Sequence, residues 1–217
     1  TPGQSPVYGN VKVLGWQIDS PQQGAELLET ITPRERAAVV LAAWCCLRRG
    51  EVCAIRTADV DLDAGLVRVA KNWVELLESP EKYEKDPKSE AGKRTVNVPP
   101  HVLPLLHEHA AEFAGPEFFC VGRDGKRMRG NTIYQAFVRA RNRVGVQIAF
   151  HDLRHTGQSL AASTGATVED LKKRLGHASS AAALRYIPAV EGRDLEIASA
   201  VSDLDGEGNA TKRPGSL

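Results

Sequence analysis

The chain has 217 residues, of which 42 % are hydrophobic and 25 % charged, the profile of an ordinary globular domain with one sizeable core. No apolar run approaches the roughly 20 residues of a membrane span, and no basic stretch followed by an apolar core marks a signal peptide. A net charge of +1 argues against a general polyanion binder, although Arg123 to Arg143 holds seven basic residues against one acid. Residues 1–30, rich in Pro, Gly, Gln and Ser, read as a linker or lead-in. Thr32-Pro33-Arg34-Glu35 reads as a capping box opening a helix that puts Ala37, Val40, Leu41 and Trp44 on one face and ends near Leu47. A short helix follows around Gly50–Ile55.

The β-like runs 66–70, 73–77 and 94–98 predict a small antiparallel sheet, with a polar, Lys-rich stretch at 79–93 before the last of them. Pro99-Pro100 starts a helix to about Phe113, and Asp124-Gly125 marks a tight turn. Asn131 is expected to cap an amphipathic helix that stops at Gly145. Helices are then predicted at about 151–164, 168–175, 179–187 and 191–204, with Gly165 and Gly176 as stops. Residues 205–217 read as a disordered tail. The fold class is α+β, mainly helical with a small antiparallel sheet. Cys45, Cys46, Cys53 and Cys120 form no CxxC pair and read as reduced core thiols of a cytosolic protein.

Chemistry concentrates in His151-Asp152-Leu153-Arg154-His155-Thr156. In a helix, His151 and Arg154 share a face. Leu175-Gly176-His177 places a histidine just past a helix stop, and Tyr186 follows nine residues later. Such residues suit attack on a phosphodiester. Paired arginines can clamp its two non-bridging oxygens with planar, permanently charged forks. A phenol has a pKa near 10 and needs help to lose its proton, which a histidine titrating near neutrality can take.

In their order these segments resemble the signature of the tyrosine recombinases, the phage-type integrases. Cys46-Leu47-Arg48-Arg49-Gly50-Glu51 is similar to that family's GLRxGE box, with Asp59 to Leu62 resembling the tail of the box. Pro87-Lys88-Ser89 before Arg94-Thr95-Val96 is similar to the hairpin bearing the family's lysine. The resemblance covers about 31–203, so residues 31–204 are expected to form a recombinase catalytic domain. It implies catalytic roles for Arg48, Lys88, His151, Arg154 and His177, with Tyr186 as nucleophile. Glu51 would support Arg48, and His155 would be structural or act from behind the reacting groups. Arg127, Arg129, Arg139, Arg141 and Arg143 are the candidates for DNA contact.

It further implies strand cleavage and rejoining through a 3′-phosphotyrosyl link without metal, ATP or other cofactor. The implied partners are double-stranded DNA and further copies of the chain, as a tetramer exchanging C-terminal helices, in the bacterial cytoplasm and at no membrane. Two choices stay open on the residues alone: Arg48 against its neighbour Arg49, and Lys88 against Lys82, Lys85 and Lys93. Cys46 stands where the family box has Gly, a packing change expected to leave Arg48 undisturbed. Other function classes are a metal hydrolase using His151 and His155, four apart as in zinc helices, and a helix–turn–helix DNA-binding module over Thr167–Arg185. Type IB topoisomerases share the phosphotyrosine chemistry, but the spacing from His177 to Tyr186 favours a recombinase.

Overall fold

A computed structural model describes residues 21–75, 81–87 and 89–176. The expected helices at 179–187 and 191–204 and the tail at 205–217 lie outside the described residues, as do Lys88, His177 and Tyr186.

Chain order is α1 (Pro21–Thr30), α2 (Pro33–Trp44), α3 (Arg49–Ala54), β1 (Val60–Asp61), β2 (Leu66–Val69), β3 (Asn72–Glu75), β4 (Lys82–Lys85), β5 (Arg94–Asn97), α4 (Leu103–Glu112), α5 (Gly130–Val144), α6 (Phe150–Ser163) and α7 (Val168–Leu175). Among the described residues the fold is therefore mainly helical with a little antiparallel sheet, as the sequence pattern predicts. The helix α1 departs from the reading of residues 1–30 as linker. Gly24 and the flanking Gln residues dilute its helical signal, yet Leu27 is buried, and Ile31 just beyond its end is buried as well.

The hub is α2. Ala37 to Ala43 are all buried, so this helix is covered on every side rather than on one face. It packs against α3, α4, α5 and α6. Its start falls as predicted, but Thr32 makes no side-chain cap bond and Glu35 is buried instead of reaching back. Helix α5 starts one residue before Asn131, with Arg129 at its N-cap, and ends at Gly145 in a left-handed conformation. Helices α2 and α6 meet through Gly157, where a Cβ would lie 2.0 Å from the Ala43 carbonyl oxygen. Only glycine allows that approach, and it brings Arg154, one turn earlier, against the end of α2.

The β-strands do not form one sheet. Strands β1, β2 and β5 pair antiparallel in the order β1-β2-β5, with Val67 opposite Val96. Strand β3 pairs with β4, in the stretch read as merely polar, as a separate two-stranded ribbon. The reason lies in the side chains. Val67, Val69 and Val96 all turn into the core, whereas every residue of β3 is half-buried and Lys82, Tyr83 and Lys85 of β4 are exposed. All four cysteines are free and buried.

Candidate active site

The site is built where α2 ends. Cys46 has φ +57, in the left-handed region that favours glycine, and this turn carries the chain into Leu47 and Arg48. The cysteine at the family's glycine position is thus a matter of backbone conformation as well as packing. Its sulfur lies in a small buried cluster with Leu171 and Leu175, and a Cβ on Gly157 would sit 2.5 Å from it.

Arg48 is the N-cap of α3, and Glu51 stands in the first turn of that helix. The buried Glu51 carboxylate organises the surroundings. Oε2 accepts the Arg48 backbone N–H at 2.8 Å, and Oε1 accepts Arg48 Nη1 at 2.9 Å. Arg94, at the start of β5, donates Nη1 to Oε1 at 3.1 Å and Nη2 to Oε2 at 3.0 Å. Arg154 Nη1 comes within 3.8 Å of Oε2. Burial alone would raise the Glu51 pKa, but the Arg94 hydrogen bonds and charge, then Arg48, outweigh it and hold the carboxyl below its usual range. Among the described residues one carboxylate therefore faces three guanidinium groups, an excess of positive charge.

Arg48 and Arg154 differ in exposure. The Arg48 side chain is 43 % exposed, while that of Arg154 is 3 % exposed. Arg154 donates to the Cys46 carbonyl through Nη1 and to the Leu175 carbonyl through Nη2 at 2.6 Å. Burial, then the Arg48 charge, pushes its pKa down to about 10, which still leaves it protonated at neutral pH. It thus joins the end of α2 to the end of α7. Arg49, the rival of Arg48, turns away and lies over the Tyr134 ring at 5.8 Å.

His151 lies exposed in the first turn of α6. Asp152 beside it caps the helix, its Oδ2 accepting the Ala149 N–H at 2.7 Å. Partial desolvation of its ring, then the charges of His155 and Arg154, lower the His151 pKa from 6.5, and Arg48 adds to the effect. The shift favours the neutral ring of His151, with the Arg154 and Arg48 charges near enough to act on it. Its ring meets the half-buried His155 edge-on, with centroids 4.8 Å apart. Among the described residues no group of three His, Cys, Asp or Glu is gathered so that it could hold a metal ion.

The segments expected to carry Lys88 and His177 are described up to those residues. Helix α7 ends at Gly176, with φ +63, immediately before His177. Pro87 and Ser89 flank Lys88. Of its rivals, Lys82 and Lys85 lie exposed on β4, and Lys93 Nζ is paired with Glu90 at 3.1 Å.

The candidate DNA-contacting arginines divide. Arg129, Arg139 and Arg143 are exposed. Arg127 is ion-paired to Glu84 and sandwiched between the Trp73 ring at 3.9 Å and the Phe118 ring at 4.2 Å, with its side chain 14 % exposed. Arg141 donates to the Ile148 carbonyl. Arg127 is thus ion-paired within the fold, and one Arg141 nitrogen is held by a backbone carbonyl.

Sequence reasoning missed Arg94 and Arg174. Arg174 Nη2 donates to the Trp44 carbonyl at 2.7 Å and Nη1 to that of Asn97 at 3.2 Å. The signal for Arg94 was present. In β5 the residues alternate, so Arg94 shares the inward face with Val96, and a charged residue at an inward position needs a partner.

Comparison with known proteins agrees with this geometry. The sequence pattern of the phage integrase family matches residues 20–191. The chain is 39 % identical over 187 residues to a Mycobacterium tuberculosis protein described as a prophage phiRv2 integrase, covering 82 % of this chain and 49 % of that protein. It is 33 % identical over 199 residues to the integrase of Mycobacterium phage D29, covering 82 % and 53 %. A structure of the Tn1549 transposon integrase in complex with transposon right end DNA superposes with a TM-score of 0.72 at 17 % identity, over 90 % of this chain and 67 % of that one. The XerA recombinase crystal structure gives 0.62 at 21 % identity, over 100 % and 68 %. The fold is that of tyrosine recombinase catalytic domains. The chain belongs to the phage integrase family, and it spans about half the length of the curated relatives it matches.

Proposed function

We propose that this chain is the catalytic part of a site-specific recombinase that cuts and rejoins double-stranded DNA through a 3′-phosphotyrosyl intermediate at Tyr186. The observation that carries the reading is the charge imbalance at Glu51. Among the described residues one buried carboxylate holds Arg48 and Arg94 and lies near Arg154, which favours an anion beside the exposed edge of Arg48.

The chemistry is a transesterification. The Tyr186 phenolate attacks phosphorus, forming a P–O bond to tyrosine while the bond to the 5′-oxygen breaks. A histidine takes the phenol proton, and Lys88 delivers a proton to the departing 5′-oxygen. Arg48 and Arg154 stabilise the charge growing on the non-bridging oxygens. Rejoining is the same step reversed by a 5′-hydroxyl, so the phosphotyrosine conserves the bond and ATP is not consumed. The guanidinium groups do the work that metal ions perform in two-metal nucleases.

Exposed Arg129, Arg139 and Arg143 would track the DNA backbone. Further copies of the chain, assembled as a tetramer on two duplexes, would complete the reaction in the bacterial cytoplasm. The test is to incubate the chain with a pool of nicked duplexes carrying a randomised core, denature in SDS and recover covalent adducts. An adduct that forms in excess EDTA is expected. Adduct formation that disappears with EDTA and returns with Mg²⁺ overturns the reading.

A further inference from the structure

Arg94 stands in the hairpin motif of the resemblance with no role assigned to it there, yet it is buried and each of its three side-chain nitrogens is hydrogen-bonded. Besides its two bonds to Glu51, it donates Nε to the Arg174 carbonyl at 2.9 Å and Nη1 to the Gly92 carbonyl at 3.2 Å. Its side chain is 4 % exposed. We propose that Arg94 is a positioning residue whose guanidinium fixes the spacing of the three segments bearing Arg48, Lys88 and His177. The inference rests on the recombinase reading above.

The packing around Arg94 supports this. Gly92 closes on Pro87: a Cβ at residue 92 would lie 2.3 Å from the Pro87 Cβ. The two residues pin the ends of the short segment that contains Lys88, and the Gly92 carbonyl is held by Arg94. On another side, a Cβ at Gly176 would lie 2.9 Å from the Ala91 carbonyl oxygen and 3.1 Å from Arg94 Nη1. The residue before His177 therefore rests directly on the loop and on the guanidinium. On the third side, Glu51 carries the bond onward to Arg48.

A simpler residue would serve a simpler purpose. Val96, the next inward residue of β5, is apolar, and a buried guanidinium is costly to desolvate unless every donor is used. Nor does Glu51 need Arg94 for neutrality, because Arg48 and Arg154 already stand beside it. What Arg94 adds is shape. Three nitrogens of one rigid plane reach three separate segments, which the single ammonium of lysine cannot do. With its side chain buried and held by protein acceptors, Arg94 acts through the segments it holds.

The test compares wild type, Arg94→Lys and Lys88→Ala on the duplex recovered by adduct selection, prepared with an ordinary or a sulfur-bridged 5′ leaving group. Sulfur leaves without a proton, so it bypasses the acid. Arg94→Lys is expected to bind DNA with wild-type affinity and to cleave the ordinary strand on the order of 10²-fold more slowly, because a displacement of about 1 Å costs that much. The sulfur strand should recover part of the loss, since one of the displaced groups is no longer needed. A purely structural role would lower affinity and both rates together, and that result overturns the proposal, as does wild-type cleavage of the ordinary strand at saturating DNA.

If Lys88→Ala shows no sulfur rescue, the acid reading of Lys88 falls. Arg94 is then judged on its cleavage rate at saturating DNA alone. If Arg94→Lys does not fold, Gly176→Ala disturbs the same junction from the other side and is held to the same criteria.

Discussion

Two clusters of arginine and carboxylate lie in this molecule, and they are put to different uses. In one, Arg56 and Arg127 share Glu84, and Arg56 also pairs with Glu117. Two cations meet two anions, and the guanidinium planes lie over Trp73 and Phe118. That cluster fastens the β3–β4 ribbon to the body of the domain and has no charge left over. In the other, Arg48, Arg94 and Arg154 surround Glu51, the one carboxylate that pairs with them among the described residues. Charge stoichiometry, rather than the presence of arginine, separates a staple from an anion site.

The largest expected effect is on the imbalanced cluster. Glu51→Gln leaves buried guanidinium groups without a counter-charge and should destabilise the fold by about 3–5 kcal/mol, read by denaturant unfolding. A loss no larger than that of a surface substitution would mean that Glu51 does not organise the site. Next comes Arg154→Lys, which keeps the charge and loses the fork. Cleavage of the selected duplex should fall by roughly 10²-fold or more. Near-normal cleavage would remove Arg154 from the phosphate clamp.

The balanced cluster should respond differently. Arg127→Met removes an ion pair and two ring contacts, costing about 1 kcal/mol of stability with no change in the cleavage rate constant. A fall in cleavage at unchanged stability would put Arg127 back among the residues that contact DNA.

The smallest effect is a shift of pH profile. His151 has its pKa lowered from 6.5, so as a base it is neutral and competent above that value. Cleavage should be flat above pH 6.5 and decline as pH falls through the lowered pKa. Removing the Arg48 charge in Arg48→Gln should let the pKa rise and move this decline to higher pH in the residual activity. Arg127→Met should leave it in place. A decline that moves equally in both variants would show that the excess charge has no bearing on His151.

The pairing of Arg48 with Glu51 and the neighbourhood of His151 and Arg154 were legible because these residues stand in local patterns. Arg48 caps the turn that holds Glu51, and His151 to Arg154 is one helical turn, so sequence spacing fixes which side chains come near. Helix boundaries at Pro33, Gly145 and Gly176 followed from residues with restricted or special backbone freedom.

What stayed hidden was non-local. Pairing of β3 with β4, rather than within one sheet, depends on which faces find a core. Arg94 reaches Glu51 across 43 positions of sequence, and no spacing rule connects them. Cys46 looked like a conservative filling of space, while its left-handed backbone is visible only in three dimensions. Arg127 and Arg141 were counted with their neighbours because charge is readable in sequence and its partners are not.

The most direct test is to map the covalent bond. After nuclease digestion of the SDS-stable adduct, mass spectrometry of its peptides should find the nucleotide on Tyr186, and Tyr186→Phe should bind the duplex yet form no adduct. An adduct on any other residue, or one that persists in Tyr186→Phe, would contradict the account.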